Sequence, residues 1–564
     1  MPIDKKLFAL IQQKQKELYD GINDRLDSLY PFSLDGTKAN YDRLMKQWFL
    51  SHGVFALSPK GLTTLVDSWY AITRSGWDGG TRFYQPSVSS SSSGEKIGDN
   101  AGLRCTPSTN KAANVDDYAG LPLFAVKDCN FIVDPDTLEP VITAIDGITD
   151  NFVRNDPEIF VGVLQMTGFH WYEEDDQTYT HGYSDSWGDH PNIAPLPEAV
   201  RVDGTIRPWV VHSKYMSKTV NGKLTSCAGL IPTAYSISHS SLHTLSKAIG
   251  SQYSGGCMCD NDFIRLMAFL KYGSMTLDGI LQGCLSYNYQ YTVAVGEENT
   301  TRLIMTTENG SKFKPGSSVL IGVKGSSTDR GQSYNYSISG NGGVRILSVE
   351  DVTIDGTVYK ALNLDCDPIT TTADSTFVST WHWASGSCDA VLGNDGSPDS
   401  PGSGEYPAKL QGIEYSVGGY EVYADIILNL YQDSEDSKYY YEPMIVNRST
   451  KQATSVTADY KSPGIRCAQP ASSSWQYIRK LGYAKGVLFP VDCVGGSSST
   501  FTKDAFYMNG NTAGTREYLA FGSLNDGTGN GGMSFLSGDN ALSLARWYIL
   551  ARLSPNGNRG EFAA

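Results

Sequence analysis

His239 and His243, in the stretch HSSLH, stand four residues apart, the spacing that sets two imidazoles on one helical face where a divalent metal could take both. The glutamate of H-E-x-x-H is missing and no third ligand is implied, so hydrogen-bonded or solvated histidines are the simpler reading. CMCDND places Cys257 and Cys259 beside Asp260 and Asp262. Without a second cysteine pair elsewhere, thiols flanking a helix cap are expected rather than zinc. WYEEDDQTYTHGYSDSWGDHP, residues 171 to 191, gathers Glu173, Glu174, Asp175, Asp176, Asp185 and Asp189 among aromatics in what reads as a loop. Oxygen donors at that density admit a structural Ca²⁺, although the spacing matches no EF-hand. The same carboxylates offer pairs for glycoside hydrolysis, but nothing fixes two of them at catalytic separation. No G-x-S-x-G, no P-loop and no G-x-G-x-x-G opening a helix is present. Acyl transfer and nucleotide chemistry find no support, and no enzyme is expected.

Composition leans towards recognition instead. The chain has 564 residues, which predicts three or four domains. Its formal net charge of −15 would repel phosphate backbones, so nucleic acid is not the expected partner. Thirty-three Tyr and 58 Gly supply rigid amphipathic contact groups and permissive backbone, a blend that suits β-rich binding surfaces. Ten cysteines are far too few for a disulfide scaffold and read as buried, reduced thiols. Neither a signal peptide nor a run of 18 apolar residues is visible, and no membrane insertion is expected.

The elements follow from patterning. Leu7, Ile11, Leu18, Ile22 and Leu29 form a helical stripe that Lys14 and Arg25 interrupt, so a docking or packed helix competes with a coiled coil. Helical patterns recur over 41–50 and 60–72. Together they predict a helical attachment or oligomerisation module over 1–80. SVSSSSSGEKIGDN marks a Ser-rich linker over 81–114. Short strand-like runs then cover 115–289, interrupted by one helix over 260–273 with an Asp or Asn cap, an apolar face of Phe263, Leu266, Met267 and Leu270, and Gly273 as stop. Residues 290–378 read as a small inserted all-β domain, with Asp355-Gly356 as a hairpin turn. Gly- and Tyr-rich strands resume over 379–564, with SSWQYIRKLGYA (473–484) reading as helical. The expected class is α+β.

Three stretches in the last third carry a resemblance. They are WQYIRKLGYAKGVLFPVDCVGGSSSTFTKDAFYMN, then TREYLAFGSLNDGTGNGGMSF with Arg516, Leu519, Gly522, Asn525 and Gly527, then NALSLARWYILARLSPNG with Trp547, Ala551, Arg552, Leu553 and Ser554. In this order they resemble the C-terminal C-type-lectin-like domain, of the formylglycine-generating-enzyme type, of bacteriophage and prophage tail proteins. The resemblance spans about 410–564, is weaker over 115–290, and leaves out the N-terminal helices and the β insertion. It implies a lectin-like domain in two parts, 115–289 and 379–564, around the inserted domain, with a C-terminal strand inside the fold. Trp547 and Leu553 would be packing groups, and Arg516 and Arg552 structural anchors. The enzyme that names the fold uses a cysteine pair near its C-terminal end; this chain has only Cys493 in its last 90 residues, so that oxidase activity is not expected.

Some members of the family are variable proteins of diversity-generating retroelements, in which template adenines are randomised. The matching positions here hold Ser537, Gly538, Asp539, Leu544, Arg546 and Tyr548, all reachable from an AAC codon by changing adenines alone, while Asn540, Ala541, Leu542, Ser543, Trp547 and Ile549 keep the family frame. The resemblance implies a ligand-binding face of Leu524, Asn525, Phe535, Ser537, Gly538, Asp539, Leu544, Arg546, Tyr548 and Leu550. Alternation along a strand would point Leu544, Arg546 and Tyr548 outward and Ala545, Trp547 and Ile549 inward. The expectation is a virion protein of a tail tip or fibre, assembled in the bacterial cytoplasm, that binds a host-cell surface protein or glycan. It would contact other virion proteins, form a homo-oligomer with a trimer as the guess, and need no cofactor beyond the calcium considered above. A structural virion component without a receptor, and a surface-glycan hydrolase, are the alternatives.

Overall fold

A computed structural model describes residues 37–324, 338–527 and 529–560. The stripe over residues 3–30 lies outside the described residues. Helix α1 (Lys38–Ser51) starts where the Thr37 hydroxyl accepts from the Asn40 amide, and it buries Tyr41, Met45 and Phe49 at a spacing of four. Helix α2 (Pro59–Ile72) has Ser58 as cap and Pro59 in its first turn, and it buries Leu62, Val66, Trp69 and Tyr70. Trp69 Nε1 donates to the Tyr41 hydroxyl at 2.9 Å and joins the two helices. Both are committed to the body. Ile142 N donates to Thr63 Oγ1 at 3.0 Å, Trp209 Nε1 to Asp67 at 2.7 Å, and the apolar faces belong to the main core. The helical pattern over 38–72 therefore makes no separate module, because an apolar face this wide needs the sheet to cover it.

That sheet has four antiparallel strands, in the order Pro140–Ile145, Val126–Val133, Phe160–Met166 and Trp209–Ser213. A second sheet of five holds Glu95–Gly98, Asp78–Tyr84, Thr178–Ser184, Phe169–Glu174 and Ala194–Pro195. Two sequence expectations fail here. The Ser-rich stretch is no linker: Gly94 N donates to Gly273 O, Met275 N to Ser92 O and Phe501 N to Ser90 O, so its backbone ties it to the body. The acidic stretch 171–191 is no loop but mostly a hairpin, whose aromatic face is buried.

Helix α3 (His239–Lys247) opens on a Ser238 capping box. Helix α4 (Met258–Tyr272) ends at Gly273, in the left-handed conformation. The expected apolar face of α4 is only part of the account, since every residue from Met258 to Lys271 is buried. Its polar groups are paired inside: Arg265 with the Tyr518 hydroxyl (2.8 Å), Lys271 with Asp395 (2.8 Å), and Asp260 with His212 (2.8 Å).

Residues 290–381 build a six-stranded antiparallel sheet, ordered Gln290–Thr292, Thr376–Trp381, Ser318–Val323, Val344–Ile354, Thr357–Leu364 and Arg302–Thr306, over its own apolar cluster. Asp355 and Gly356 at its long hairpin both have positive φ (49° and 77°), as a two-residue primed turn requires. The last third adds a four-stranded sheet and a mixed six-stranded sheet. The mixed sheet runs Ser474–Tyr477, Ala505–Met508, Leu536–Ser537, Leu519–Ala520, Tyr420–Val422 and Ile549–Ala551. Residues 473–484, expected as helix, are two strands, Ser474–Tyr477 and Lys480–Ala484. Their aromatic residues pack across sheets, which overrides a spacing that fits either period. With strand far exceeding helix and most pairings antiparallel, the chain is a mostly-β member of the α+β class.

Buried titratable groups make stability depend on pH. Burial pushes the carboxyls of Asp262, Asp504 and Glu517 up to about 8 and that of Glu414 up to about 7. Their stabilising contribution is complete below the unfolded carboxyl value and is lost as pH rises through 7 to 8. Burial alone would lower His212, but Asp260 and Glu198 hold it up to about 9, so its contribution fades over the same range. Burial acts oppositely on His239 and His181, both lowered to about 3, and on His243, lowered to about 4; their contribution is present above the unfolded histidine value and is lost on acidification. Thermal melting should therefore peak in mildly acidic buffer and fall by at least about 5 °C between pH 6 and pH 9. A Tm that rises over that interval would contradict these assignments.

Candidate functional site

The residues singled out by sequence separate into a floor and a rim. Leu524, Phe535 and Leu550 are wholly buried, and Ser537 and Gly538 lie in the floor with them. A Cβ on Gly538 would sit 2.8 Å from the Phe506 ring and 2.9 Å from Leu428, so any side chain there has to displace them. These five are corrected from ligand contacts to supports, because each sits where a central sheet packs on its neighbours. The rim keeps Asn525 and Arg546, both exposed, with Asp539, Leu544 and Tyr548 half-buried.

The outward alternation also has a different origin. Residues 541–548 are not a strand: Leu544 N donates to Ala541 O (2.9 Å) and Ile549 N to Arg546 O (3.3 Å), closing two successive turns before the strand starts at Ile549. The turns still send Arg546 outward and bury Trp547 and Ile549, whereas Ala545 is half-buried. Trp547 packs against Trp381 (ring centroids 6.0 Å apart), and its carbonyl lies 2.7 Å from His382 Nε2, which locks this segment to the last strand of the inserted sheet. Tyr235 supports the turns from the other side. Its amide donates to Arg546 O at 3.1 Å while its own φ is +63°, a conformation that costs an aromatic residue about 1–3 kcal/mol and occurs where surroundings impose it.

Sequence reasoning missed the aromatic half of this face. Trp475, 36% exposed, meets Tyr507 edge-on at 4.8 Å and Phe535 at 5.7 Å. Phe535 stacks on Tyr420 (5.2 Å), and Tyr420 meets Tyr548 at 5.0 Å. A continuous row of rings thus runs from Trp475 to Tyr548. Polar groups frame it. The Tyr420 hydroxyl donates to Asp526 (2.9 Å), Ser537 Oγ to Asp539 (2.9 Å), Arg516 Nε to Asn509 (2.9 Å), and Asn288 to Asn525. Burial raises the Asp539 carboxyl and the Tyr548 phenol, and the charges of Arg546 and Asp539 both act on Tyr548, which places them together. Trp475 escapes notice because 473–484 reads as helix, although Trp475 and Tyr477 stand at the period of two that a strand shows. Tyr507 stands outside that segment, on the strand Ala505–Met508.

The other sequence candidates are structural. His239 and His243 lie with ring centroids 4.6 Å apart in the interior, neutralised by burial, and His243 Nε2 lies 3.1 Å from Ala424 O. Cys257 caps α4. Asp185 is buried and accepts from the amides of Ser75 (2.6 Å) and Gly76 (2.9 Å), so it faces backbone rather than a substrate cleft, while Asp189 is exposed. Among the described residues, one group of three metal-capable side chains converges: Cys105, Asp116 and Asp395. Lys271 Nζ already stands 3.2 Å from Asp116 and 2.8 Å from Asp395, so an ammonium takes the place of a cation there. The acidic groups of 171–191 form no such group. All ten cysteines are free thiols.

Arg552 is wholly internal. It holds Glu421 through Nε (2.9 Å) and Nη2 (3.2 Å), and it donates to Ser213 O and Glu414 O. Arg516 is half-buried at the rim. Among the described residues no helix is long and apolar enough to cross a membrane. No protein-family model matches the chain, and no curated protein matches its sequence.

Proposed function

We propose that this chain is a phage or prophage virion protein, at a tail tip or fibre, that binds a host-cell surface ligand through the face formed by Trp475, Tyr507, Asn525, Asp539, Leu544, Arg546 and Tyr548. The observation that carries the reading is the arrangement of that face. Solvent-reaching Trp, Tyr and Arg side chains, the types that dominate interface energetics, stand beside a floor of buried rings, with Trp475 and Tyr507 on sheet strands and Arg546 and Tyr548 on turns. Aromatic anchors beside short polar groups give contact area at small entropic cost. In this reading the domain is lectin-like, of the formylglycine-generating-enzyme type, and any sequence diversity falls on Asp539, Leu544, Arg546 and Tyr548, with Ser537 and Gly538 excluded by their burial. Helices α1 and α2 serve the body, so attachment to the particle uses other surfaces. A trimer would multiply weak contacts through avidity. No cofactor and no covalent step belong to the proposal.

The experiment is direct. Labelled full-length protein is incubated with bacterial cells and competed with unlabelled protein. Saturable, competable binding to a subset of strains is expected, and uniform absence of such binding across a broad panel of strains would leave a purely structural virion role.

A further inference from the structure

Cys467 and Cys493 are 26 residues apart in sequence, yet their sulfurs lie 3.4 Å from one another. Cys467 begins the edge strand Cys467–Ala468 of the four-stranded sheet. Cys493 directly follows Val487–Asp492, the second strand of a separate hairpin. No strand pairing joins that hairpin to that sheet, so the two thiols meet across the seam between them. Both are buried, at 1% and 4% exposure, but the next residue after Cys493, Val494, is 69% exposed. The seam is thus closed around the sulfurs and open one residue away.

We propose that Cys467 and Cys493 form an oxidation site, closing to an intramolecular disulfide when the protein meets a small disulfide oxidant such as oxidised glutathione. The chemistry balances in two exchanges. On opening of the 493–495 turn, Cys493 loses its proton, its thiolate attacks one sulfur of the oxidant, and one glutathione thiolate leaves. Cys467, deprotonated in turn, attacks Cys493 Sγ and expels the second glutathione thiolate. Two protein thiols are oxidised, one disulfide is reduced to two glutathione thiols, and the two protons that the cysteines lose are taken up by the two leaving glutathione thiolates. The sulfurs then need to approach by about 1.4 Å to reach the roughly 2.05 Å of a disulfide bond. The Cys467 thiol beside it and burial push the Cys493 thiol up, which disfavours its thiolate while the turn is closed. Joining the two elements shortens the unfolded chain's freedom over a loop of 26 residues.

The test uses the full-length protein, purified under reductant and split between buffer and oxidised glutathione. Each half is then unfolded, alkylated and mapped by peptide mass. The oxidised half is expected to yield a peptide linking Cys467 to Cys493, two hydrogens lighter than the separate peptides, with a Tm about 2–4 °C higher. Cys467→Ser and Cys493→Ala should each abolish both changes. Complete alkylation of both thiols after oxidation overturns the proposal, as does their pairing with other cysteines. The wild-type map decides even if a variant fails to fold.

Discussion

Arg552→Ala is expected to destabilise the protein by about 3–5 kcal/mol, the range for removing one partner of a buried ion pair. Arg552 is 1% exposed, and each of its three guanidinium nitrogens donates a hydrogen bond. It bridges three separate strands: Trp209–Ser213 through Ser213 O, Ile413–Tyr415 through Glu414 O, and Tyr420–Val422 through Glu421. Alanine leaves the Glu421 carboxylate buried without its counter-charge and strips two carbonyls of donors. Most of the cost comes from those stranded groups rather than from the lost attraction. Arg552→Met combined with Glu421→Gln should therefore recover part of the loss, since it removes both charges at once. Equilibrium unfolding or thermal melting checks both. A single variant within about 1 kcal/mol of wild type would show that Arg552 is not the anchor described.

Gly182→Ala should cost about 3 kcal/mol, at or above the usual upper end for overpacking. A Cβ at 182 would fall 1.8 to 2.2 Å from atoms of the Trp171 indole on the paired strand. The ring cannot yield easily. It stacks on His190 at 3.9 Å and donates through Nε1 to Asp78 at 3.1 Å, and His190 in turn bonds Asp78 and Glu173. Cβ atoms at Gly80, opposite Gly182 on the other side, would meet backbone at 3.0 Å. The indole has its bed because Gly182 lacks a side chain. Trp171→Phe in the Gly182→Ala background, with a smaller ring, should relieve part of the strain. Unchanged stability of Gly182→Ala would contradict the packing.

How far the sequence could be read depended on whether a signal was local. The caps at Thr37 and Ser58, the Gly273 stop and the Asp355-Gly356 turn are written in a few adjacent residues, and those helices and that hairpin stand where patterning puts them, whereas helix His239–Lys247 falls in a stretch read as strands. The serine stretch 87–93 was misread because its order comes from distant backbone partners at Gly273, Met275 and Phe501. Residues 473–484 read as helix because short aromatic runs fit both periods, and that error hid Trp475. Alternation near the C-terminal end pointed Arg546 outward correctly, but for the wrong reason: turns do what a strand was expected to do. Burial of Phe535, Gly538 and Leu550 is a property of three converging sheets, and no spacing along the chain encodes it.

The central claim is that the rim beside the ring row, and not its floor or another surface, contacts the host ligand. The decisive measurement is binding of full-length Trp475→Ala, Arg546→Ala and Tyr548→Ala proteins to a strain that the wild type binds, beside Arg43→Ala, an exposed change on α1, as control. All four sites reach solvent, so melting curves close to wild type are expected. The account predicts a loss of affinity of roughly 30-fold or more for at least two of the three rim variants, as hot-spot truncations of about 2 kcal/mol produce, with the control unchanged. Equal binding by all four proteins would contradict it.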